Sequence, residues 1–375
     1  MSRHPAAASF PRITRRDVMR TGAAAAAVAA LGLPGRALAA TLTPLQQAGQ
    51  RVIFSYSGPT VPQSLLDELA AGRAGGVIFF GDNISGLNQI DSAAQQLRAA
   101  ARGGPVAAPP LLMTDQEGGE VRRLPGEPTL SEKEIGESSD PVAAATDAGT
   151  GAGQLLAGVG MNVNLAPVLD VYRTPGDFED QFERSYSTDP AVCGRLGGAF
   201  ITAQRRTGVA ATAKHFPGLG AAGASQNTDL RPVTLNLSRA TIRSVDEAPY
   251  TSAISAGVKL VMASWALYPA LDSRLPAGLS PTIIQQELRG RLGFLGVTIT
   301  DALSAGALTN FGTVPQRAVA AAKAGMDLML VSAQDVTQAR SVVTALADAL
   351  RSGALDQPTF TASVNRVLTL RAMLP

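Results

Sequence analysis

Eight short runs of apolar and β-branched residues recur along this chain, and most neighbours are far enough apart to hold a helix between them. The runs lie at 51–56, 76–80, 111–114, 161–166, 209–214, 258–264, 296–300 and 326–331. Amphipathic stretches separate them, such as 64–72 and 281–292; the second carries Ile283, Ile284, Leu288 and Leu292 at helical spacing. Two further helical segments, 336–351 and 359–373, close the chain. Buried strands alternating with helices predict an α/β fold, a parallel (β/α)8 TIM-type barrel in a single domain. A doubly wound open sheet is the competing arrangement. With 375 residues and 45% apolar content, the chain can bury a core of that size.

The ends of these runs carry polar residues. The third run is followed by Asp115, Gln116 and Glu117, the fourth continues to Asp170, the fifth ends in Lys214 and His215, and the seventh is followed by Asp301. In a barrel of this class chemistry is done at the C-terminal strand ends. A core has little use for ionisable groups there, apart from helix caps and loop anchors.

The first 39 residues read differently. Arg15 and Arg16 precede an apolar stretch at 23–33, then Ala37, Leu38 and Ala39, a small-residue cleavage pattern. This resembles a twin-arginine export signal, with residues 40–375 as the mature catalytic domain and a periplasmic or extracellular destination. The apolar stretch is too short to span a bilayer comfortably, so no membrane anchor is expected after cleavage. The leader holds six arginines and one aspartate, so its removal turns a formal charge of +2 into about −3. No basic patch with interleaved aromatics points to nucleic acid. Cys193 is the single cysteine, which excludes an intramolecular disulfide. Two histidines, His4 and His215, and no clustered ligands leave no metal site to expect. Nothing in the sequence fixes an oligomeric state.

Several stretches together resemble glycoside hydrolase family 3, in its single-domain β-N-acetylglucosaminidase branch. They are GGVIFFGDNI at 75–84, TDQEGGEVRRL at 114–124, NVNLAPVLDV at 162–171, KHFPG at 214–218, FLGVTITDAL at 294–303 and AGMD at 324–327. The resemblance implies Asp301 as the nucleophile of a covalent glycosyl-enzyme. It implies Asp115, Arg123, Arg184, Lys214, His215 and Met262 as contacts to the sugar, with Asp170 or a neighbour orienting that set. A carboxylate beneath the anomeric carbon suits an oxocarbenium-like transition state. The implied ligand is a glycan containing N-acetylglucosamine, and no cofactor is required.

The loop after KHFPG departs from the branch. Leu219 replaces a usual histidine, Ala221 and Ala222 replace an Asp-Thr pair, and Asn227-Thr228-Asp229 stands where Asp-Ser-His is usual. Glu120 and Ser264 also replace usual residues, an arginine and a histidine. Asp229 is the local candidate for the acid/base, with Asn227 orienting it and Arg231 opposing its protonation. Glu117 and Glu120 are weaker candidates, because their strand end is expected elsewhere on the rim. The small residues between 219 and 227 predict a mobile loop with little to pack. Trp265 and Tyr268 are placed either to stack on the sugar or to pack in the core. Three readings stand: a retaining hydrolase of terminal N-acetyl-β-glucosaminides, a non-catalytic binder of wall sugars, and a β-glucosidase or phosphorylase of the same family.

Overall fold

The computed structural model describes residues 41–375; the expected leader and its cleavage pattern lie outside the described residues. Eight strands occur where the apolar runs predict them: β1 (Val52–Phe54), β2 (Gly76–Ile78), β3 (Leu111–Thr114), β4 (Val163–Asn164), β5 (Ala210–Phe216), β6 (Leu260–Ala263), β7 (Val297–Thr300) and β8 (Met329–Leu330). They pair in parallel in the spatial order β8-β1-β2-β3-β4-β5-β6-β7. A parallel bridge between Ile299 and Leu328 joins β7 to β8 and closes the cylinder. The open-sheet alternative is thereby excluded.

Side chains alternate across each strand, and this divides the apolar residues into two layers. Ile53, Ile78, Met113, Val163, Leu260, Met262, Ile299 and Leu330 fill the barrel interior. Val52, Phe54, Val77, Leu112, Ala211 and Val261 face the surrounding helices. Both faces are buried, which explains why the strand sequences show no polar alternation. The final helix, Gln357–Met373, sends Val367 and Leu370 against the N-terminal end of the interior layer.

The AGMD stretch is a brace at that same end. Asp327 is fully buried and receives Arg289 at 2.7 Å and Arg366 at 2.8 Å. It also accepts the Thr298 amide at 2.9 Å, tying β7 to the approach of β8. Burial alone would raise the Asp327 carboxyl, but the two guanidinium groups outweigh it and hold it below the usual carboxylate range. No helix among the described residues is long and apolar enough to cross a membrane.

Candidate active site

The C-terminal strand ends open into a pocket of about 230 Å³. Asp115, Arg123, Arg184, Lys214, His215, Met262, Asp229 and Asp301 all line it. A larger cavity of about 860 Å³ lies at the opposite end, between Lys259, the 293–297 turn and the last helix, and no carboxylate lines it.

Strand β5 runs two residues further than its apolar run, through His215 to Phe216. Lys214 and His215 both face the pocket, although neighbours on a regular strand point to opposite sides. The register of β5 against β6 shifts between Ala213 and Phe216, which breaks the alternation at that point; the Lys214–His215 peptide is cis.

Lys214 is buried beneath two carboxylates. Its Nζ lies 2.7 Å from Asp115 and 2.6 Å from Glu117. Burial alone would lower the ammonium, but Asp115 and Glu117 outweigh it, so the lysine stays charged. Glu117 belongs to the pocket wall, which corrects the expectation that its strand end lies elsewhere. The reason is a short hairpin, Gln116–Gly118 against Val121–Arg122, that folds the chain back over the barrel mouth. Gly118 makes that fold possible: its φ is 123°, and an added Cβ would sit 2.1 Å from the Leu130 carbonyl oxygen. Glu120, three residues after Glu117, is exposed and outside the pocket.

Arg184 gives Nε and Nη2 to Glu117 at 2.8 and 2.9 Å, and places Nη1 2.7 Å from Glu179. It braces two carboxyl groups on the wall and has less left for a sugar than the resemblance implies. Burial would push Glu117 up, but Arg184 and Lys214 together pull it down to about 2. Glu117 is therefore ionised throughout the working range and holds no proton to give.

Asp170 lies behind His215 and is fully buried. Its Oδ2 sits 2.7 Å from His215 Nδ1, and its oxygens also accept the backbone amides of His215 and Leu219. Burial would lower the imidazole, but the Asp170 carboxylate and this hydrogen bond outweigh it and hold His215 above its ordinary value. Ser185 Oγ caps the Asp170 carbonyl.

The loop after β5 packs where sequence reasoning predicts slack. Leu219 and Ala222 are buried, and Ala222 accepts the Phe178 amide at 2.8 Å. Gly220 passes so close to Val171 that a Cβ would lie 2.2 Å from its carbonyl oxygen. Small residues here allow close approach of backbone to backbone. Between 219 and 227 only residues 224–225 are exposed, and further along 229–232 are.

Asp229 stands at the outer edge of the pocket. The residue is solvent-exposed by surface area, yet protein crowds its carboxyl group on the pocket side. That partial burial first, and the charge of Asp301 second, raise it above the usual carboxylate range. His215 and Arg184 oppose the shift, whereas Arg231 is not among its main causes. Asn227 lies outside the pocket, and its Oδ1 accepts the Asp229 backbone amide at 2.7 Å. It shapes the turn through the Asp229 backbone and does not hold the carboxyl group, contrary to the expectation that it orients Asp229. Asp301 follows β7 directly and accepts the Ala302 amide at 2.6 Å.

Neither aromatic that follows the sixth strand reaches the pocket. Trp265 is buried with Nε1 donating to the Ala302 carbonyl, and Tyr268 donates its hydroxyl to the Gly218 carbonyl. The stacking platform is thus absent, and both residues support the strand-end loops from below.

Glu179 is a pocket residue that sequence reasoning missed. It sits in the loop after β4, at the start of the short turn Asp180–Phe182, and is 1% exposed. Its Oε2 is ion-paired with Arg184 Nη1, and its Oε1 has no hydrogen-bond partner. Arg123 Nε, also on the wall, is likewise buried without a partner. Asp170, Glu179 and His215 bring ligand atoms within 4.8 Å of one another, a spacing a metal ion could use. Their bonding speaks against it: both Asp170 oxygens accept N–H groups, His215 Nδ1 faces Asp170, and a guanidinium stands beside Glu179.

Comparison with known proteins agrees with this architecture. A 45% identical relative from Arthroderma benhamiae, described as an uncharacterized secreted glycosyl hydrolase, matches over 88% of this chain and 93% of its own. A solved family 3 β-N-acetylglucosaminidase from Paenibacillus superposes with a TM-score of 0.83 at 33% identity, covering 89% of this chain but 63% of that longer one. A β-N-acetylhexosaminidase from Beutenbergia cavernae gives 0.78 at 32%, over 88% of this chain and 97% of its own. The sequence profile of the glycosyl hydrolase family 3 N-terminal domain matches residues 48–370, so this chain belongs to glycoside hydrolase family 3.

Proposed function

We propose that this protein is an exported, retaining β-glycosidase that removes terminal N-acetyl-β-glucosaminyl residues from wall- or chitin-type fragments. The observation that carries the reading is the pairing of Asp301 with Asp229 in one small pocket, the second raised by burial and by the charge of the first. A retaining mechanism uses two carboxyl groups, a nucleophile and a partner that holds a proton to give.

Asp301 attacks the anomeric carbon while protonated Asp229 gives its proton to the departing glycosidic oxygen. The C–O bond to the leaving group breaks as the ester to Asp301 forms. That ester is neutral, so the charge that raised Asp229 disappears and its carboxylate becomes available as a base. Asp229 then takes a proton from water, the hydroxide attacks the anomeric carbon, and Asp301 leaves as carboxylate. Carboxyl groups and water complete this cycle. Lys214, Asp115, His215 and Arg123 offer the hydrogen bonds that hold the sugar, and Asp170 fixes the imidazole ring.

The N-acetylglucosaminide preference is supported by the Paenibacillus and Beutenbergia structures, and export by the twin-arginine pattern at 15–16 together with the secreted fungal relative. Residues 1–39 are then the signal and 40–375 the catalytic domain. The rival reading, a sugar-binding barrel with vestigial activity, draws on the missing loop histidine. Release of nitrophenol from the para-nitrophenyl N-acetyl-β-glucosaminide and β-glucoside separates the two. Turnover by the wild type that Asp301→Asn abolishes supports the glycosidase; a wild type inert on both substrates supports the binder. Acceleration by phosphate would instead indicate phosphorolysis.

A further inference from the structure

One group of the pocket wall, Glu179, is not used by the mechanism above. The Glu179 carboxyl is buried and faces the pocket; Arg184 Nη1 pairs with its Oε2 at 2.7 Å, and its Oε1 is left without a hydrogen-bond partner. Opposite polarity is offered by Arg123 Nε, buried and also unpartnered. Buried polar atoms left without partners are rare, because each costs free energy unless something supplies the missing bond. A ligand rich in hydroxyl groups supplies both kinds, donors to the glutamate and acceptors to the arginine.

The surroundings of Glu179 say which part it plays. Arg184 Nη1 lies 2.7 Å away and His215 Nδ1 3.9 Å away, while the Phe178–Ala222 bond pins the start of its loop against the loop after β5. Glu179 therefore stands beside Arg184 and His215, among the groups that hold the sugar.

We infer that Glu179 is a further substrate-contacting residue, which accepts hydroxyl hydrogen bonds from the sugar held by Asp115, Lys214 and His215. The inference deepens the glycosidase reading, since it assumes that this pocket takes a sugar. It also makes position 179 a determinant of which hydroxyl pattern the pocket accepts.

A cycle between residue and hydroxyl tests it by calorimetry, with no turnover needed. Wild type and Glu179→Gln are titrated with N-acetylglucosamine and with a panel of analogues, each lacking one hydroxyl. Removing the contacted hydroxyl weakens binding to the wild type by about 10- to 100-fold and binding to Glu179→Gln hardly at all. Additive losses for every analogue overturn the contact and leave Glu179 as a brace for Arg184; so does a wild type that binds no member of the panel. Should Glu179→Gln fail to fold, Glu179→Asp enters the same cycle. Coupling in a wild type that hydrolyses nothing would sink the glycosidase reading and keep the contact, whereas an active wild type with additive losses would do the reverse.

Discussion

The carboxylate of Asp170 meets the Nδ1 of His215 at 2.7 Å and at the same time accepts the backbone amides of His215 and Leu219. One buried side chain thus sets both the ring orientation of a pocket residue and the path of the loop that leads to Asp229. Replacing Asp170 with Asn removes the charge and gives a donor where only acceptors are wanted. The expected result is a fall of roughly 100-fold in kcat/KM, dominated by KM, with a stability loss of about 1–3 kcal/mol. Steady-state kinetics and urea unfolding check it; unchanged KM would detach Asp170 from substrate binding.

Glu117 neutralises two buried cations, Lys214 and Arg184. Glu117→Gln leaves both short of a counter-charge in a site with little water. The variant is expected to lose about 3–5 kcal/mol of stability, the scale for breaking a buried pair by removing one partner. Chemical denaturation measures this directly, and a variant as stable as the wild type would contradict the network.

Asp246 offers a pH test of stability. It lies beneath Gly218 and pairs with Arg173 at 2.7 Å, yet burial outweighs that pairing and pushes its carboxyl up to about 7. The folded state therefore holds this proton more tightly than the unfolded chain. The associated stability is present in full below about pH 4 and is lost as pH rises toward 7, roughly 2–4 kcal/mol across that window. Asp246→Asn should flatten the stability profile between these limits. A profile as steep in the variant as in the wild type would assign the slope to other groups.

In the proposed mechanism Asp229 sets the pH dependence of activity. As the acid it must be protonated, so kcat/KM on glycosides with poor leaving groups falls as pH rises through its raised value. Asp229→Asn should lose that alkaline limb and about 100-fold or more of activity on such substrates. Activated nitrophenyl glycosides should still form the glycosyl-enzyme, and added azide should speed its breakdown. An unaltered alkaline limb in the variant would remove Asp229 from the role.

The sequence carried much of this outline for a physical reason. Strands buried on both faces read as unbroken apolar runs, and the polar residues that end them, Asp115, Lys214, His215 and Asp301, stand out against that background. Features set by chain reversal were harder to see. Glu117 reaches the pocket only because a hairpin turns the chain back at Gly118. Glu179 has no periodic context and owes its place to the short turn after β4 and to Arg184. A run of glycine and alanine at 218–224 reads as slack, yet Gly218 and Gly220 are there because Asp246 and Val171 leave no room for a Cβ.

The most direct test of the central claim is covalent. The mature protein would be incubated with a 5-fluoro N-acetylglucosaminyl fluoride, which forms the glycosyl-enzyme faster than water releases it, and the intact mass and peptide map recorded. The account predicts one sugar adduct per chain, mapped to Asp301 and missing from Asp301→Asn. Turnover without an adduct, or an adduct on any other residue, would contradict it.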